Sequence, residues 1–434
     1  MEILPLVVAF FTMLGLMLLS LPVAFAILAV GAVGGYLAYG MPLVQMTGGV
    51  IWGSLNNSTM LAIPLFMLLG ELLLRSGLAD RMYDALAVWL GRLPGGLLHT
   101  NIATCTLFSA TSGSSVATAA TVGTIALPSL NARGYPVRMS LGSLAAGGTL
   151  GILIPPSINL LVYGSLANVS IGKLFMAGVL PGISLSLAFS TYIFFAYQGK
   201  STTGGAAFIP LRERLLLLRH LVPPLVIFGV VMGSIYGGLA TPTESAALGV
   251  TIALVIIGLN GRLTMPLLAT SSYRAARTTG MVVLVLICAL LLNVTLSMVG
   301  ATQAVTRWVA TLGVNQYGLL LVLMLFYLVL GMFMDAMSML VLTVPIAVPV
   351  VVAVGVDPIW FGIFIVLMCE IALITPPVGM NLFVVQGVRK DGGNFSDVAW
   401  GSFPFALIML AASALFILWP DPVLWLPELM SARP

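Results

Sequence analysis

A short tract of small hydroxylated residues, TSGSSVAT at 111–118, interrupts a chain that is otherwise strongly apolar. Gly113 permits unusual backbone dihedral angles, and the hydroxyls of Ser112, Ser114 and Ser115 can cap a helix that begins there. The N–H groups at a helix start favour an anion, whereas freed carbonyls and hydroxyls at the end of a preceding helix suit a hard cation such as Na⁺. The tract therefore predicts an ion- and substrate-binding turn. The alternative is a surface of small residues at which helices pack closely.

Two Pro-Pro pairs predict breaks inside apolar helices. Proline has no N–H and blocks helix continuation, so carbonyls upstream of each pair lose their hydrogen-bond donors within the membrane. Hydroxyl side chains flank both breaks, and such groups can coordinate a desolvated ion; the alternative is a simple kink. The residues concerned are Thr149, Pro155, Pro156 and Ser157 in the first break, and Thr375, Pro376 and Pro377 in the second.

Two carboxylates fall within long apolar stretches. Asp335 lies in GMFMDAMSM (331–339), and Glu370 lies shortly before the second Pro-Pro pair. A carboxylate inside a membrane is costly and is a functional candidate by default. Asp335 could neutralise a bound cation, relay a proton or only cap the following helix, and Glu370 could equally serve a structural hydrogen bond.

The chain lacks the residue patterns of an enzyme. It has no Ser–His or Cys–His arrangement, no acid–base pair at catalytic spacing and no GxxxxGK[ST] loop for ATP. Its three cysteines and two histidines are scattered, which argues against a metal or redox centre. We therefore expect neither enzymatic activity nor a resident cofactor.

The elements that position these residues are predicted to be membrane helices. Of the 434 residues 60% are hydrophobic and 7% are charged, against about 25% charged in soluble domains. This composition predicts an all-α polytopic membrane protein that forms a single integral membrane domain over 1–434, with a first helix that is retained rather than cleaved. About ten crossings are expected, near 3–19, 22–39, 50–73, 139–165, 174–197, 221–238, 244–259, 279–299, 358–388 and 400–419.

Two further apolar stretches, 97–131 and 318–354, are predicted to be re-entrant helical hairpins. Each is too short for two crossings and a loop. The hydroxylated tract falls near the middle of the first stretch, and Asp335 falls near the middle of the second. With this topology fourteen of the 17 Lys and Arg residues lie on one face and only Lys173, Arg307 and Arg433 on the other. This asymmetry places the polar linker 199–219 in the cytoplasm and both termini in the periplasm. The net charge of +4 arises from these loops and implies no nucleic-acid partner.

Two segments match across the linker and predict an internal repeat. In 132–164 and 354–387, a glycine in a Pro-containing turn is followed after 21 residues by the Pro-Pro pair and then by Asn159 or Asn381. Five crossings in each half would invert the second repeat (220–420) relative to the first (1–198), an architecture typical of secondary transporters. Short amphipathic helices are expected at 77–93 and 300–314, along the membrane face.

The ordered motifs resemble the large membrane subunit of TRAP (tripartite ATP-independent periplasmic) transporters. They are SGSSVATAATVGT, GILIPPSINLLVYG, TPTESAALGV, GMFMDAM and EIALITPPVGMNLFV. The resemblance implies an elevator-type importer of small organic anions, such as carboxylates or acidic sugars, with sodium as the coupling ion, in a bacterial or archaeal inner membrane. It also implies two partners, a periplasmic substrate-binding protein and a small four-helix membrane subunit. In this family the two hairpins and the Pro-Pro helices form the moving unit.

The resemblance also assigns site residues. The first tip would be Ser112, Gly113, Ser114 and Ser115; the second tip Asp335, Ala336, Met337 and Ser338; and the breaks Thr149, Pro155, Pro156, Thr375, Pro376 and Pro377, followed by Gly379 and Asn381. Two departures are visible: Thr118 stands where many members have Asp, and Cys369 where Asn is common before the glutamate. The alternatives are a sodium symporter of divalent anions that needs no binding protein and, in another class, a passive channel.

Overall fold

A computed structural model of the chain describes residues 4–56, 58–199, 210–311 and 313–431, and within these residues it contains helices and turns but no strand. The first half contains α1 Leu4–Leu18, α2 Val23–Tyr39, α3 Met41–Leu55, α4 Ala62–Arg75, α5 Leu78–Leu90, α6 Leu97–Ser112, α7 Ser115–Ala132, α8 Val137–Thr149, α9 Ile158–Ala167 and α10 Ile171–Tyr197. The second half contains α11 Leu211–Leu217, α12 Val222–Tyr236, α13 Pro242–Leu259, α14 Met265–Met298, α15 Ala301–Thr311, α16 Gln316–Gly331, α17 Ala336–Ala353, α18 Pro358–Leu373, α19 Met380–Val388, α20 Phe395–Leu418 and α21 Asp421–Ser431.

The structure confirms the predicted all-α polytopic class. Within the described residues, six helices are long and apolar enough to cross a membrane, or up to eight if each of two bent pairs counts as one span. The predicted crossing 50–73 is divided, because α3 ends at Leu55 and α4 begins only at Ala62, with polar residues between them. Helix α21 follows the last predicted crossing and was not expected. Residues 200–209 of the linker lie outside the described residues, as does Arg433.

Both predicted hairpins are present as pairs of helices joined by tight turns. The first consists of α6 and α7, and the second of α16 and α17. Each predicted Pro-Pro helix is broken in two, as α8 and α9 in the first half and as α18 and α19 in the second. The leg α6 has 16 residues and is therefore about 24 Å long at 1.5 Å per residue, shorter than a bilayer core of about 30 Å. Re-entrance and the inverted orientation of the halves stay predictions.

The helices pack into two groups. One group contains α2, α4, α12, α13 and α14, with α14 lying along α2 and α4. The other is built around the broken helices: α8 packs on α6, α7 and α20, and α18 packs on α16 and α17. The two halves also exchange contacts, because α9 packs on the hairpin leg α17 and α19 packs on the hairpin leg α7.

The crossing of α8 and α20 depends on two glycines. A Cβ on Gly142 would collide with the carbonyl of Gly401, and a Cβ on Gly401 would collide with the carbonyl of Arg138. Small residues let membrane helices approach until their backbones touch. Near this crossing, Arg138 and Arg389 both bond the carboxylate of Asp397, with Nε–Oδ1 at 3.2 Å and Nη1–Oδ2 at 3.3 Å. This ion pair joins the start of α8 to α20 and to the segment after α19.

Candidate ion and substrate site

The tip of the first hairpin is a tight turn between α6 and α7. Gly113 has a left-handed backbone (φ 61°), and its N–H bonds the Ser109 carbonyl at 3.1 Å. Ser114 caps α7, because its Oγ accepts the Ala117 N–H at 3.4 Å. The buried hydroxyls of Ser112 and Thr118 are 2.9 Å apart, and Thr118 donates to the Ser114 carbonyl at 2.8 Å. Thr118, which replaces the Asp common in the resembled family, is thus part of the tip.

The first Pro-Pro break releases main-chain carbonyls inside the protein. Pro155 and Pro156 have no N–H, so the carbonyls of Gly151 and Ile152 lack the donors that a continuous helix would supply. Ser157 partly compensates, because its hydroxyl donates to Ile152 and accepts the Leu160 N–H at 3.3 Å as the cap of α9. The peptide bond between the two prolines is cis.

The first tip lies directly against this break. A Cβ on Gly113 would be 2.7 Å from the Pro156 carbonyl oxygen, and a Cβ on Gly151 would be 2.7 Å from the Ser114 carbonyl and 2.8 Å from the Ser115 nitrogen. Only glycines permit two backbones to approach this closely. The predicted hydroxyl tract and the predicted Pro-Pro break therefore come together.

Thr149 is buried on the same broken helix, but its hydroxyl bonds within the last turn of α8. It donates to the Ala146 carbonyl at 2.7 Å. The oxygen retains a lone pair after this donation, so Thr149 can still accept from or ligate a group beside it.

At the second tip, Asp335 caps helix α17. One carboxylate oxygen accepts the N–H groups of Met337 at 3.1 Å and Ser338 at 3.3 Å, and the other accepts the Ser338 hydroxyl. Of the roles left open for Asp335, the cap is present in the structure. A carboxylate offers about four acceptor positions, so these bonds leave capacity for a cation. The side chain of Met337 is half-buried at the same turn.

The second tip lies against the second break in the same way. The Cys369 thiol on α18 is 3.5 Å from the Ala336 carbonyl at the start of α17. A Cβ on Gly331, which ends α16, would collide with Ala372. Thr375 donates to the Ile371 carbonyl at 2.6 Å just before the cis-linked Pro376 and Pro377.

Gly379 and Asn381 link the second break to the first half of the chain. Gly379 has a left-handed backbone (φ 33°) and precedes α19. Asn381 is fully buried, and its amide donates to the Ala145 carbonyl on α8 at 3.2 Å. This bond spans the two halves and connects their broken helices.

Thirteen buried polar side chains of the described residues retain atoms without a hydrogen-bond partner. Six of them lie on the broken helices, and three of these six stand within six residues of a Pro-Pro pair. The unpaired atoms of these three are both carboxylate oxygens of Glu370, the amide nitrogen of Asn159 and the amide oxygen of Asn381. Glu370 is fully buried. Buried polar groups are normally paired, so unpaired ones around both breaks are typical of a site that takes a polar guest.

The chemistry of these groups fits an alkali cation. Among the described residues there is no group of three or more His, Cys, Asp or Glu residues that could hold a transition metal. Hydroxyls, carbonyls and one carboxylate are hard oxygen ligands, which Na⁺ prefers. Oxygen-bearing side chains of this kind lie at both tips: Ser112 and Ser115 at the first, and Asp335 with Ser338 at the second.

Sequence reasoning missed the glycines that bring these parts together. Gly151 and Gly331 lie at the two tip–break contacts, and Gly70 on α4 lies against the Ser112 carbonyl, which a Cβ would approach to 2.8 Å. Gly151 stands in the glycine-rich run GGTLG, a signal that could have indicated close helix packing. Gly70 and Gly331 have no such local signal.

Comparison with known proteins gives a consistent result. Residues 10–421 match the family model described as "Tripartite ATP-independent periplasmic transporter, DctM component". The chain is 35% identical over 374 residues to the C4-dicarboxylate TRAP transporter large permease protein of Pseudomonas aeruginosa, covering 86% of this chain and 87% of the relative. It is 31% identical over 422 residues to the sialic acid TRAP transporter large permease protein of Vibrio cholerae, covering 96% and 97%.

A third relative and one solved structure extend this picture. The isethionate TRAP transporter permease protein DctMQ of Oleidesulfovibrio alaskensis is 32% identical over 400 residues, which cover 91% of this chain and 62% of the relative. Among solved structures, the YdaH transporter of Alcanivorax borkumensis superposes with a TM-score of 0.66 at 14% identity, covering 92% of this chain and 98% of that one. At this identity the likeness concerns the fold alone.

Proposed function

Because this chain belongs to the DctM family of tripartite ATP-independent periplasmic transporters, we propose that it is the subunit that carries a small organic anion across the inner membrane, coupled to sodium. One observation supports this most strongly: each hairpin tip packs against a helix that a Pro-Pro pair interrupts, and these broken helices carry the buried unpaired polar atoms of Asn159, Glu370 and Asn381. Related permeases are transporters rather than enzymes.

We propose a carboxylate-bearing substrate. Several relatives are named for C4-dicarboxylates, sialic acid and ectoine, each of which carries a carboxylate group, whereas the DctMQ relative is named for isethionate, a sulfonate. The N-terminal N–H groups of α7 carry the positive end of the helix dipole at the first tip, which suits a carboxylate. At the start of α17, Asp335 already accepts the N–H groups of Met337 and Ser338. The unpaired amide nitrogen of Asn159 would donate a hydrogen bond to the substrate carboxylate, and the unpaired amide oxygen of Asn381 would accept one from a hydroxyl or N–H group of the substrate.

We propose one sodium ion at each tip–break contact. At the first, the ligands would be the hydroxyls of Ser112 and Ser115 and the carbonyl of Gly151. At the second, Asp335 would supply charge, with Ser338 and Thr375 as neutral oxygen donors. The ions would favour the state that holds substrate, since coupling requires different affinities in different states.

Packing supports a larger moving unit than the hairpins and broken helices alone. Helix α10 packs on α6, α9 and α18, and α20 packs on α8, α18 and α19. We propose that α10 and α20 move together with the hairpins as one rigid body, in an elevator-type displacement against the group formed by α2, α4, α12, α13 and α14.

Two partners follow from the family. We propose that a periplasmic binding protein delivers the substrate and that a small membrane subunit attaches to this chain. The relative named DctMQ, of which this chain matches 62%, is consistent with a second subunit fused to a large one. The orientation with both termini in the periplasm also stays part of this proposal.

The test is reconstitution into liposomes with an inward sodium gradient. The small membrane protein and the binding protein would be taken from neighbouring genes, and labelled carboxylates would be chosen from the ligand of that binding protein. We expect uptake only when all three proteins and sodium are present. Uptake without the binding protein would instead indicate a direct symporter, and flux that ignores sodium would indicate a channel.

A further inference from the structure

The bend between α4 and α5 contains a cleft with two arginines. The two helices meet at 64°, and the cleft beside the bend is lined by Ser76, Arg81, Asn260 and Arg262, with apolar residues of α4 and α13 behind them. Fourteen of the 17 basic residues are predicted on this face of the membrane, and in this cleft two guanidinium groups lie together.

The protein bonds each guanidinium through a neutral acceptor. Arg81 donates to the Asn260 side-chain oxygen at 3.1 Å, and Arg262 donates to the Ser76 carbonyl at 2.7 Å. The Arg262 guanidinium lies over Gly77, where a Cβ would collide with it. Neither arginine forms an ion pair with a carboxylate in the part of the chain that the structure describes. Because a guanidinium has five N–H donors, both retain donors for an external anion.

The charges around the cleft leave it positive. Arg75 is paired with Glu71 at 3.2 Å. His220 lies within electrostatic range of Arg81 and Arg219 on one side and of Asp84 on the other. The second acidic residue of α5, Asp80, is exposed and interacts with Asp84. Asp80 and Asp84 repel each other and offset part of the local positive charge, but neither bonds Arg81 or Arg262 directly in the described residues, so both arginines lack a carboxylate partner.

An apolar rim adjoins the positive cleft. Leu259, next to Asn260, is 84% exposed, Leu263 is 42% exposed and Met265 is 80% exposed. A small soluble anion would gain nothing from such a rim, whereas a phospholipid presents a charged headgroup and an acyl chain at adjacent depths.

We propose that this cleft binds the phosphate of an anionic phospholipid. Arg81 and Arg262 would hold the phosphate oxygens at the mouth of the cleft, since arginine forks match phosphate geometry, and one acyl chain would lie along Leu259 and Leu263. The lipid would tie α5 to the end of α13. Helix α5 also packs on both legs of the first hairpin. The bound lipid would therefore hold in place a helix that contacts this hairpin.

The experiment is a lipid titration of the delipidated, purified chain followed by native mass spectrometry. Phosphatidylglycerol, phosphatidylcholine and inorganic phosphate would be compared on the wild type and on the double variant Arg81→Gln/Arg262→Gln. We expect the double variant to bind phosphatidylglycerol about tenfold more weakly, as loss of charge-assisted bonds implies. The matched control, Arg274→Gln/Arg277→Gln, removes the same charge from exposed positions of α14 and should bind within about twofold of wild type.

Two outcomes would overturn the proposal. One is equal binding of phosphatidylglycerol by the double variant and the wild type. The other is displacement of the lipid by millimolar inorganic phosphate, which would indicate a site for a free anion. If the double variant aggregates, the single variant Arg262→Lys provides the test. It keeps the positive charge but loses the planar guanidinium that can form two bonds to one phosphate. We expect weaker phosphatidylglycerol binding by this variant, with unchanged elution on size exclusion. Wild-type binding by Arg262→Lys would then count against the proposed geometry.

Discussion

Replacing Gly151 by alanine should disturb the first ion site while leaving the rest of the protein intact. The new Cβ would be 2.7 Å from the Ser114 carbonyl and 2.8 Å from the Ser115 nitrogen. These are backbone atoms of the hairpin tip, so no side chain can rotate away. An ordinary van der Waals contact begins at 3.4 Å, whereas the new Cβ would lie at 2.7 Å. The tip and the break must therefore separate by about 0.7 Å.

The magnitude follows from the cost of overpacking a rigid contact. Inserting one methyl group into a well-packed interior costs about 1–3 kcal/mol. If sodium bridges the tip and the break, this strain falls on the ion-bound state, because binding requires the hydroxyls and the Gly151 carbonyl to converge. A loss of about 1–3 kcal/mol corresponds to a sodium affinity that is roughly 5- to 150-fold weaker.

The assay is the sodium dependence of uptake in proteoliposomes that contain the partner proteins. We expect the half-saturating sodium concentration of Gly151→Ala to rise by this factor, with normal membrane insertion. Gly280→Ala is the matched control, because Gly280 lies within α14 and a Cβ there meets nothing within 4 Å. Unchanged sodium dependence in Gly151→Ala, with a correctly folded protein, would refute a sodium site between the tip and the break.

Three further predictions concern charged residues. Asp335→Asn keeps an acceptor for the helix cap but removes the charge, so we expect normal thermal stability with reduced sodium-dependent uptake; wild-type uptake would leave Asp335 as a cap only. Glu370→Gln should also reduce uptake without lowering the melting temperature, since a buried carboxylate without partners is costly to the fold, and a large loss of stability would indicate a structural role instead. Outside the membrane, the Arg389 guanidinium that bonds Asp391 lowers the pKa of that carboxylate. The stability that this pair contributes is therefore present above the ordinary aspartate pKa of about 4 and lost as the pH falls through the lowered value. The melting temperature of Asp391→Asn should accordingly fall less than that of the wild type on acidification below about pH 4.

The sequence was sufficient to predict the local structure of the site. A glycine followed by serines in TSGSSVAT predicts a turn and a helix cap, and the structure has Gly113 in the left-handed region and Ser114 as the cap. Two adjacent prolines cannot continue a helix, and both predicted breaks are present. The role of Asp335 as a cap was left open, because the sequence locates a carboxylate along an apolar stretch but does not reveal which N–H groups face it.

The contacts between distant segments could not be predicted. Gly151 contacts Ser114, Gly70 contacts Ser112, and Gly142 contacts Gly401. The residues around each glycine do not indicate which distant segment it contacts. A glycine in a helix indicates that another segment can approach the backbone closely, but which segment does so depends on the tertiary fold. The division between α3 and α4 was missed for a different reason: hydropathy averaged over a spanning length does not resolve a short polar interruption.

The cross-contacts between the two halves bear on how the sites would move. Asn381 on α19 bonds the Ala145 carbonyl on α8, α9 packs on α17 and α19 packs on α7. Separating the two tips would break all of these contacts at once, so under the proposed displacement both tips travel together with their ions. The outer helices must then slide past this body, and Gly70 against the Ser112 carbonyl is one place where they touch. A side chain at this position would collide with the backbone of the first tip, so the glycine is what lets α4 lie this close to the proposed moving body.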